Sequence, residues 1–220
     1  MAIIPMMLNW FPSVHFSRSL ITFLCCFFLC ANVCAKPTIL VMGDSLSAAY
    51  QMAPHNGWVN LLEIKLKENF PQAQVINSSV VGETTAGGLQ RLPKQLAKYR
   101  PDIVIIELGG NDGLRGLPTP NIKANLNKMI ETSLAQPSKV LLVGMRLPPN
   151  YGQGYTQEFA NNYVSLSKEH AIPLVPFFLD KVALAPGMML PDRIHPTAKA
   201  QVILLDNIWP HLEPLLAPYH

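Results

Sequence analysis

Two stretches of the sequence decide the fold: TILVMGDSLS at residues 38–47 and IVIIELGGND at residues 103–112. In each, a short apolar run gives way abruptly to glycine and small polar residues. Because the apolar residues are continuous rather than alternating, such runs are typical of strands buried on both faces of a sheet. Similar runs recur along the chain. We predict five strands: Thr38–Met42, Gln74–Ile76, Ile103–Leu108, Val140–Val143 and Leu174–Phe178.

Longer segments with helical periodicity separate these runs. The apolar positions of residues 58–70 repeat at the spacing of one helix face, and four later segments behave in the same way. We predict helices over Trp58–Phe70, Leu89–Tyr99, Ile122–Leu134, Phe159–His170 and Thr197–Leu212. Alternation of strands with helices indicates βαβ units, and therefore one α/β domain whose mainly parallel sheet carries helices on both faces.

Residues 1–35 are predicted to be a signal peptide rather than part of this domain. Arg18 precedes an apolar run over residues 20–29, and the small-residue pattern Val33-Cys34-Ala35 follows, as at a cleavage site. We expect cleavage after Ala35, a mature domain of residues 36–220, and a periplasmic or secreted protein. An uncleaved membrane anchor is the alternative, but the run is shorter than the roughly 20 residues that span a bilayer.

The composition excludes several classes of function. All four cysteines lie in the predicted signal peptide, so the mature protein has no disulfide and no cysteine-ligated metal. No cluster of histidine and acidic residues has metal-ligand spacing, and no glycine-rich phosphate loop is followed by lysine. We therefore expect neither metal nor cofactor. The formal net charge of +3 is small and dispersed, which argues against a nucleic-acid partner.

Small polar residues follow three of the predicted strands, in the segments 43–47, 77–83 and 109–113. Parallel strands place their carboxyl ends at one edge of the sheet, where ligands bind. Ser45 would occupy a strand-to-loop corner there as a candidate nucleophile. The alternative is that Ser45 merely caps the next helix. Gly82 and Asn111 would bring hydrogen-bond donors to the same edge.

The segment Asp192-Arg193-Ile194-His195-Pro196 contains the partners that a nucleophilic serine needs. A serine hydroxyl requires a neutral imidazole to take its proton and a carboxylate to fix the imidazole tautomer. Asp192 and His195, three residues apart in a loop, can join one imidazole nitrogen to a carboxylate while the other nitrogen faces outward. The alternative is an ordinary surface Asp-x-x-His. Asp44 and Asp112 are expected to tie loops to backbone N–H groups instead.

These segments resemble, in order, the four blocks of the SGNH (GDSL) hydrolase family: GDSLS at 43–47, Gly82, GGND at 109–112 and DRIHP at 192–196. The match is closest to the bacterial periplasmic thioesterase I, lysophospholipase and arylesterase group. The resemblance implies a three-layer α/β/α, flavodoxin-like fold. It also implies that Ser45 is the nucleophile, with His195 as the base and Asp192 behind it. The oxyanion hole would be formed by the N–H groups of Ser45 and Gly82 and the amide of Asn111.

The substrate expected from the edge loops is an acyl ester. Residues 113–118 form either a small mobile flap or a rigid loop, and four residues there and after the fourth strand would line an apolar groove: Leu114, Leu117, Leu147 and Pro148. An open edge suits acyl-CoA thioesters, lysophospholipids and aryl esters, which the resemblance also implies, with transient membrane-lipid contact and a monomeric protein. The alternatives are a carbohydrate O-deacetylase on the same fold and a non-catalytic binding domain.

Overall fold

In a computed structural model of the chain, which describes Met1 and residues 36–219, the five predicted strands form a single sheet. The strands are β1 (Thr38–Gly43), β2 (Gln74–Asn77), β3 (Ile103–Glu107), β4 (Lys139–Val143) and β5 (Leu174–Val175). Their order is β2-β1-β3-β4-β5, and every pairing is parallel. The prediction of a parallel five-stranded α/β fold is confirmed. Apart from Met1, the predicted signal peptide lies outside the described residues.

In the described part of the chain, five α-helices lie between strands and a sixth follows β5: α1 (Trp58–Asn69), α2 (Thr85–Tyr99), α3 (Gly110–Leu114), α4 (Thr119–Leu134), α5 (Gln153–His170) and α6 (Gln201–Leu216). The chain moves from β1 to β2 in one direction and from β2 onward in the other. Right-handed crossovers therefore place α1 on one face of the sheet and α2, α4 and α5 on the opposite face. In agreement, α1 packs against α6, whereas α4 packs against both α2 and α5. The result is the expected α/β/α arrangement.

The sheet supplies the core because its central strands are shielded on both faces. The side chains of β3 are buried along the whole strand, as are nearly all those of β1 and β4. The edge strand β2 is only half-buried. Gly43 and Glu107, the last residues of β1 and β3, are paired in register, so both strands end at the same level. The loops after β1 and β3 therefore start at the same level of the carboxyl edge of the sheet.

Several elements differ from the sequence prediction. The helices α2, α4 and α5 begin at Thr85, Thr119 and Gln153, before the predicted starts at Leu89, Ile122 and Phe159. The strand β5 was predicted to reach Phe178, but it ends at Val175 because Pro176 follows and has no N–H to donate to a ladder. The last helix was predicted to start at Thr197, yet Thr197 is extended and a 3₁₀ turn precedes α6 at Gln201. The short helix α3 was not predicted at all. Among the described residues, no helix has the length and apolarity needed to cross a membrane.

Candidate active site

Ser45 lies at the topological switch point of the sheet, where connections from β1 and β3 leave in opposite directions and open a crevice. Ser45 follows β1 in a series of turns. The residue before it, Asp44, holds these turns together through hydrogen bonds. The carboxylate of Asp44 accepts a hydrogen bond from the Leu46 N–H at 3.0 Å, and its carbonyl accepts one from the Ala48 N–H at 3.0 Å. No helix starts at Ser45, since α1 begins at Trp58. The alternative interpretation of Ser45 as a helix cap is therefore wrong.

His195 reaches Ser45 from a turn that Asp192 holds in shape. One carboxylate oxygen of Asp192 accepts hydrogen bonds from the backbone N–H groups of Ile194 and His195, at 2.9 and 3.0 Å. The other oxygen lies 2.7 Å from Nδ1 of the His195 ring. Nε2 of the same ring lies 3.0 Å from Oγ of Ser45. The structure thus joins the three residues that the sequence singled out, from positions 150 residues apart in the chain.

The direction of these hydrogen bonds follows from the ionisation of Asp192. Partial burial opposes the charge, but hydrogen bonds from the His195 backbone, the His195 ring and the Ile194 backbone outweigh it and lower the pKa of Asp192 to about 2. At neutral pH the carboxylate is ionised and can only accept. Nδ1 of a neutral His195 imidazole must then carry the proton, which leaves Nε2 as the acceptor for the Ser45 hydroxyl.

The three predicted oxyanion donors lie on neighbouring loops. Asn111 is in the first turn of α3, and its amide donates to the Asp44 carboxylate at 2.9 Å, which leaves its second amide proton available. Gly82 has a left-handed backbone with φ of 75°, and its carbonyl accepts from the Arg115 guanidinium at 3.1 Å. Within the described part of the chain, the N–H groups of Ser45 and Gly82 have no hydrogen-bond acceptor. All three groups therefore retain a proton to donate.

Side chains of the edge loops tie these segments to one another. Asp112 accepts from both the backbone N–H and the hydroxyl of Thr85, at 2.9 and 2.6 Å, and so joins α3 to the start of α2. The amide of Asn77 donates to the carbonyl of Ser47 at 2.8 Å, and so joins the loop after β2 to the loop after β1. Asp44 and Asp112 bind loop groups, as their sequence position suggested.

Sequence reasoning missed a buried carboxyl beneath the nucleophile loop. Glu107 is fully buried at the end of β3, and one of its carboxylate oxygens accepts from the Ser47 hydroxyl at 2.6 Å. Its other oxygen has no hydrogen-bond partner among the described residues. Burial, and next the negative charge of Asp44, raise the pKa of Glu107 well above its ordinary value. The signal was available, because an acidic residue inside a continuous apolar strand is unusual.

Asp44 shares this low-polarity environment. Burial raises the pKa of Asp44 from 3.8 to about 6, although hydrogen bonds from the Leu46 N–H and the Asn111 amide work in the opposite direction. The carboxyl group that orients Asn111 therefore lies near a second buried carboxyl, Glu107, whose pKa is also raised. Two acids this close and this buried do not both ionise readily near neutral pH.

Of the four residues expected to line an apolar groove, Leu114 and Leu147 are the more buried. Leu147 is half-buried and packs so tightly over Gly113 that a β-carbon at Gly113 would lie 2.7 Å from it. Leu114 is half-buried, Leu117 is 39% exposed and Pro148 is exposed. Leu147 thus packs against Gly113, two residues after Asn111, and Leu114 is half-buried in the same segment.

The segment of residues 113–118 is anchored from the side of α5. The hydroxyl of Tyr151 donates to the carbonyl of Leu114 at 3.0 Å, and that of Tyr155 donates to the carbonyl of Leu117 at 2.7 Å. On the other side, Arg115 binds the loop of Gly82. These contacts favour the interpretation of an ordered loop over that of a free flap.

The raised pKa of Asp44 predicts a pH dependence of stability. Because the folded state holds the Asp44 proton up to about pH 6 and the unfolded state releases it near 3.8, the free energy of unfolding should fall as pH rises between these values. In Asp44→Asn this contribution is absent, so the variant should gain stability relative to wild type across that window. Urea unfolding of both proteins at several pH values measures this, and a pH-independent difference would contradict it.

Comparison with known proteins gives the same family as the site. Residues 41–203 match the family described as GDSL-like Lipase/Acylhydrolase. "Esterase TesA" of Pseudomonas aeruginosa is 47% identical over 182 residues, which is 83% of this chain and 90% of the relative. "Thioesterase 1/protease 1/lysophospholipase L1" of Escherichia coli K12 is 40% identical over 182 residues, covering 83% and 86%.

A solved structure agrees in fold. The psychrotrophic esterase EstA from Pseudoalteromonas sp., in a crystal structure described as inhibited by monoethylphosphonate, superposes with a TM-score of 0.78 at 37% identity. The match covers 82% of this chain and 98% of that one. The resemblance stated from four short sequence blocks is thereby confirmed. The chain belongs to the GDSL-like lipase/acylhydrolase family.

Proposed function

We propose that the protein is a serine hydrolase that cleaves carboxylic esters and thioesters through an acyl-enzyme on Ser45. One observation carries the proposal: an unbroken line of hydrogen bonds runs from an ionised carboxylate through an imidazole to a serine hydroxyl at the carboxyl edge of the sheet. A serine needs this arrangement to act as a nucleophile. A non-catalytic domain would have no use for it, and the family's relatives are named as esterases.

In the first half of the reaction, Ser45 attacks the carbonyl carbon of the substrate and Nε2 of His195 takes the hydroxyl proton. Asp192 stabilises the imidazolium that forms and keeps its ring in place. The carbonyl oxygen becomes an oxyanion, which accepts hydrogen bonds from the N–H groups of Ser45 and Gly82 and from the amide of Asn111. His195 then returns its proton to the leaving alcohol or thiol, and the acyl group remains on Ser45.

In the second half, water replaces the alcohol. His195 takes a proton from the water as it attacks the acyl carbon, and the same three donors hold the second oxyanion. Collapse of this intermediate breaks the bond to Ser45, which recovers its proton from His195. The carboxylic acid leaves, and the enzyme is restored without metal or cofactor in any step.

The substrate class that fits the edge loops is an acyl chain on a good leaving group. Leu147 packs against Gly113 and Leu114 is half-buried in the segment after Asn111, which supports an apolar site for the acyl chain. We assign acyl-CoA thioesters, lysophospholipids and aryl esters to the site, in line with the names thioesterase and lysophospholipase that the relative from Escherichia coli carries. Acetylated carbohydrate remains the second candidate, on fold analogy alone.

An apolar rim on the loops around the site supports contact with lipid surfaces. It consists of Val80, Val81, Leu117 and Ile194, which are exposed by 45, 51, 39 and 42%. Exposed apolar side chains grouped around a site are typical of an interaction surface. Arg115 and Arg193, both exposed, stand in the same loops and suit lipid phosphate groups. A lysophospholipid would be taken from such a surface.

The proposal includes export and a monomeric state. The pattern of Arg18, the apolar run and Ala35 supports removal of residues 1–35 and a periplasmic or secreted location. Since all the proposed catalytic residues come from one chain, a second copy is not needed to complete the site. The mass of the exported protein and its light scattering in solution test these two points.

The direct test of the proposal compares wild type with Ser45→Ala on a chain-length series of p-nitrophenyl esters, palmitoyl-CoA and lysophosphatidylcholine. Wild type should hydrolyse them, and Ser45→Ala should lose nearly all turnover because the nucleophile is missing. Ser79→Ala is the matched control, since its hydroxyl has no partner among the described residues. A folded wild type that is inactive on every substrate would contradict the lipid-ester proposal and direct the search to acetylated glycans.

Asn111→Ala tests the oxyanion hole separately from the nucleophile. Loss of one oxyanion donor typically lowers kcat by about 10²–10³-fold, and we expect this factor with the fold intact. Steady-state kinetics on p-nitrophenyl butyrate, with circular dichroism as the check on folding, measure it. If the folded variant keeps the wild-type kcat, Asn111 has no part in the hole.

The apolar rim predicts a loss of vesicle binding when it is made polar. Val81→Ser should reduce sedimentation with vesicles of phosphatidylglycerol and lower turnover of lysophosphatidylcholine, while leaving hydrolysis of the water-soluble p-nitrophenyl acetate near wild type. Val164→Ser is the matched control, because Val164 is 42% exposed in the middle of α5. Equal vesicle binding by wild type and both variants would argue against the rim.

A further inference from the structure

Tyr50 is packed against the imidazole of His195, and the mechanism above gives it no role. The centres of the two rings are 4.4 Å apart and their planes are inclined by 41°. Tyr50 reaches this position from the loop that carries the nucleophile, and its backbone N–H donates to the Ser45 carbonyl at 3.4 Å. Its phenol oxygen accepts only from the Gln51 side chain at 3.1 Å, among the described residues. The contact with His195 is thus made by the ring itself.

The backbone on both sides of Tyr50 is held in a conformation that costs free energy. Ala49 and Gln51 are left-handed, with φ of 54° and 55°, which non-glycine residues rarely adopt. The strain is maintained by packing, because a β-carbon at Gly57 would lie 2.9 Å from the β-carbon of Ala49. Left-handed non-glycine residues are concentrated at functional sites, where the surrounding structure enforces them. Here the left-handed residues Ala49 and Gln51 flank Tyr50, whose ring contacts His195.

The hydrogen bonds of His195 leave room for small rotations of its ring. Nδ1 is held by Asp192 and Nε2 by Ser45, each through a single contact. A rotation of the ring about its Cβ–Cγ bond bends both hydrogen bonds, because it turns the N–H and the lone pair away from their partners. A ring packed on the imidazole face blocks this rotation. Hydrogen bonds that are bent away from linearity weaken steeply.

The same contact acts on the charged form of the ring. When Ser45 transfers its proton, the imidazole becomes an imidazolium, and the face of an aromatic ring attracts a cation. The stabilisation is absent in the ground state, where the imidazole is neutral. The contact therefore stabilises the transition state more than the ground state, and such a difference raises the rate of the reaction.

We propose that Tyr50 is a positioning residue for the general base, which keeps the His195 ring aligned between Asp192 and Ser45 and stabilises it as the imidazolium. The inference rests on the proposed role of His195 as the base. It assigns the function to the aromatic ring and not to the hydroxyl group of Tyr50.

The test compares Tyr50→Phe and Tyr50→Leu in hydrolysis of p-nitrophenyl acetate. Tyr50→Leu should lower kcat by about 2- to 30-fold, the range of a cation–π contact, with KM almost unchanged. Tyr50→Phe retains the ring and should keep kcat near wild type. Tyr99→Leu is the control, because Tyr99 is a half-buried tyrosine at the end of α2. If the leucine variant does not fold, Tyr50→Met takes its place.

A second arm asks whether Tyr50 acts through His195. His195→Ala should retain a small residual rate from the oxyanion hole and binding, as serine hydrolases without their base do. Adding Tyr50→Leu to it should leave that rate unchanged. A further loss equal to that of Tyr50→Leu alone would overturn the inference, as would full activity of Tyr50→Leu. Wild-type activity of His195→Ala would instead refute the proposed base, whatever the Tyr50 variants do.

Discussion

The site depends on the carboxylate of Asp192, which uses its two oxygens for two separate purposes. One oxygen holds the backbone of the turn at Ile194 and His195, and the other holds the imidazole. The turn cannot change shape without releasing the ring, because both contacts are made by one rigid carboxyl group. The hydrogen bonds also keep the carboxylate charged, and the charge fixes the imidazole tautomer that leaves Nε2 free for Ser45.

The segments around Ser45 contain features that lower the stability of the folded protein. Asp44 and Glu107 are two buried carboxyls under one loop, and the residues Ala49, Gln51 and Arg193 are left-handed in the two loops that meet at the site. Each left-handed residue of this kind costs on the order of 1–3 kcal/mol. The apolar residues of the buried strands β1 and β3 offset such costs through burial on both faces of the sheet. The sheet therefore provides the stabilising burial, whereas the strained residues lie in the loops at its carboxyl edge.

Sequence reasoning found the strands because a strand buried on both faces leaves a continuous apolar run, and it found the site because parallel strands share an edge. It placed Ser45 and Asn111 near one another because both follow strands at that edge, whereas His195 was assigned to Ser45 from the needs of a nucleophilic serine and from the family resemblance. It misplaced the end of β5 and the start of α6, where one proline and one 3₁₀ turn decide the boundary.

The residues that were missed share a different property. The role of Glu107 depends on its register with Gly43 and on the position of the Ser47 hydroxyl, and that of Tyr50 depends on two left-handed residues. Neither register nor a left-handed backbone at Ala49 leaves a pattern in the sequence, because no glycine marks the turn. Contacts between loops that are distant in the chain require the structure.

Activation of Ser45 by His195 and Asp192 can be measured by reacting wild type, His195→Ala and Asp192→Asn with a fluorophosphonate and locating the adduct by peptide mass spectrometry. We expect one adduct on Ser45 that forms rapidly in wild type, slowly in Asp192→Asn and hardly at all in His195→Ala, because phosphonylation needs the same activated hydroxyl. An adduct on another residue, or equal labelling rates in all three proteins, would contradict it.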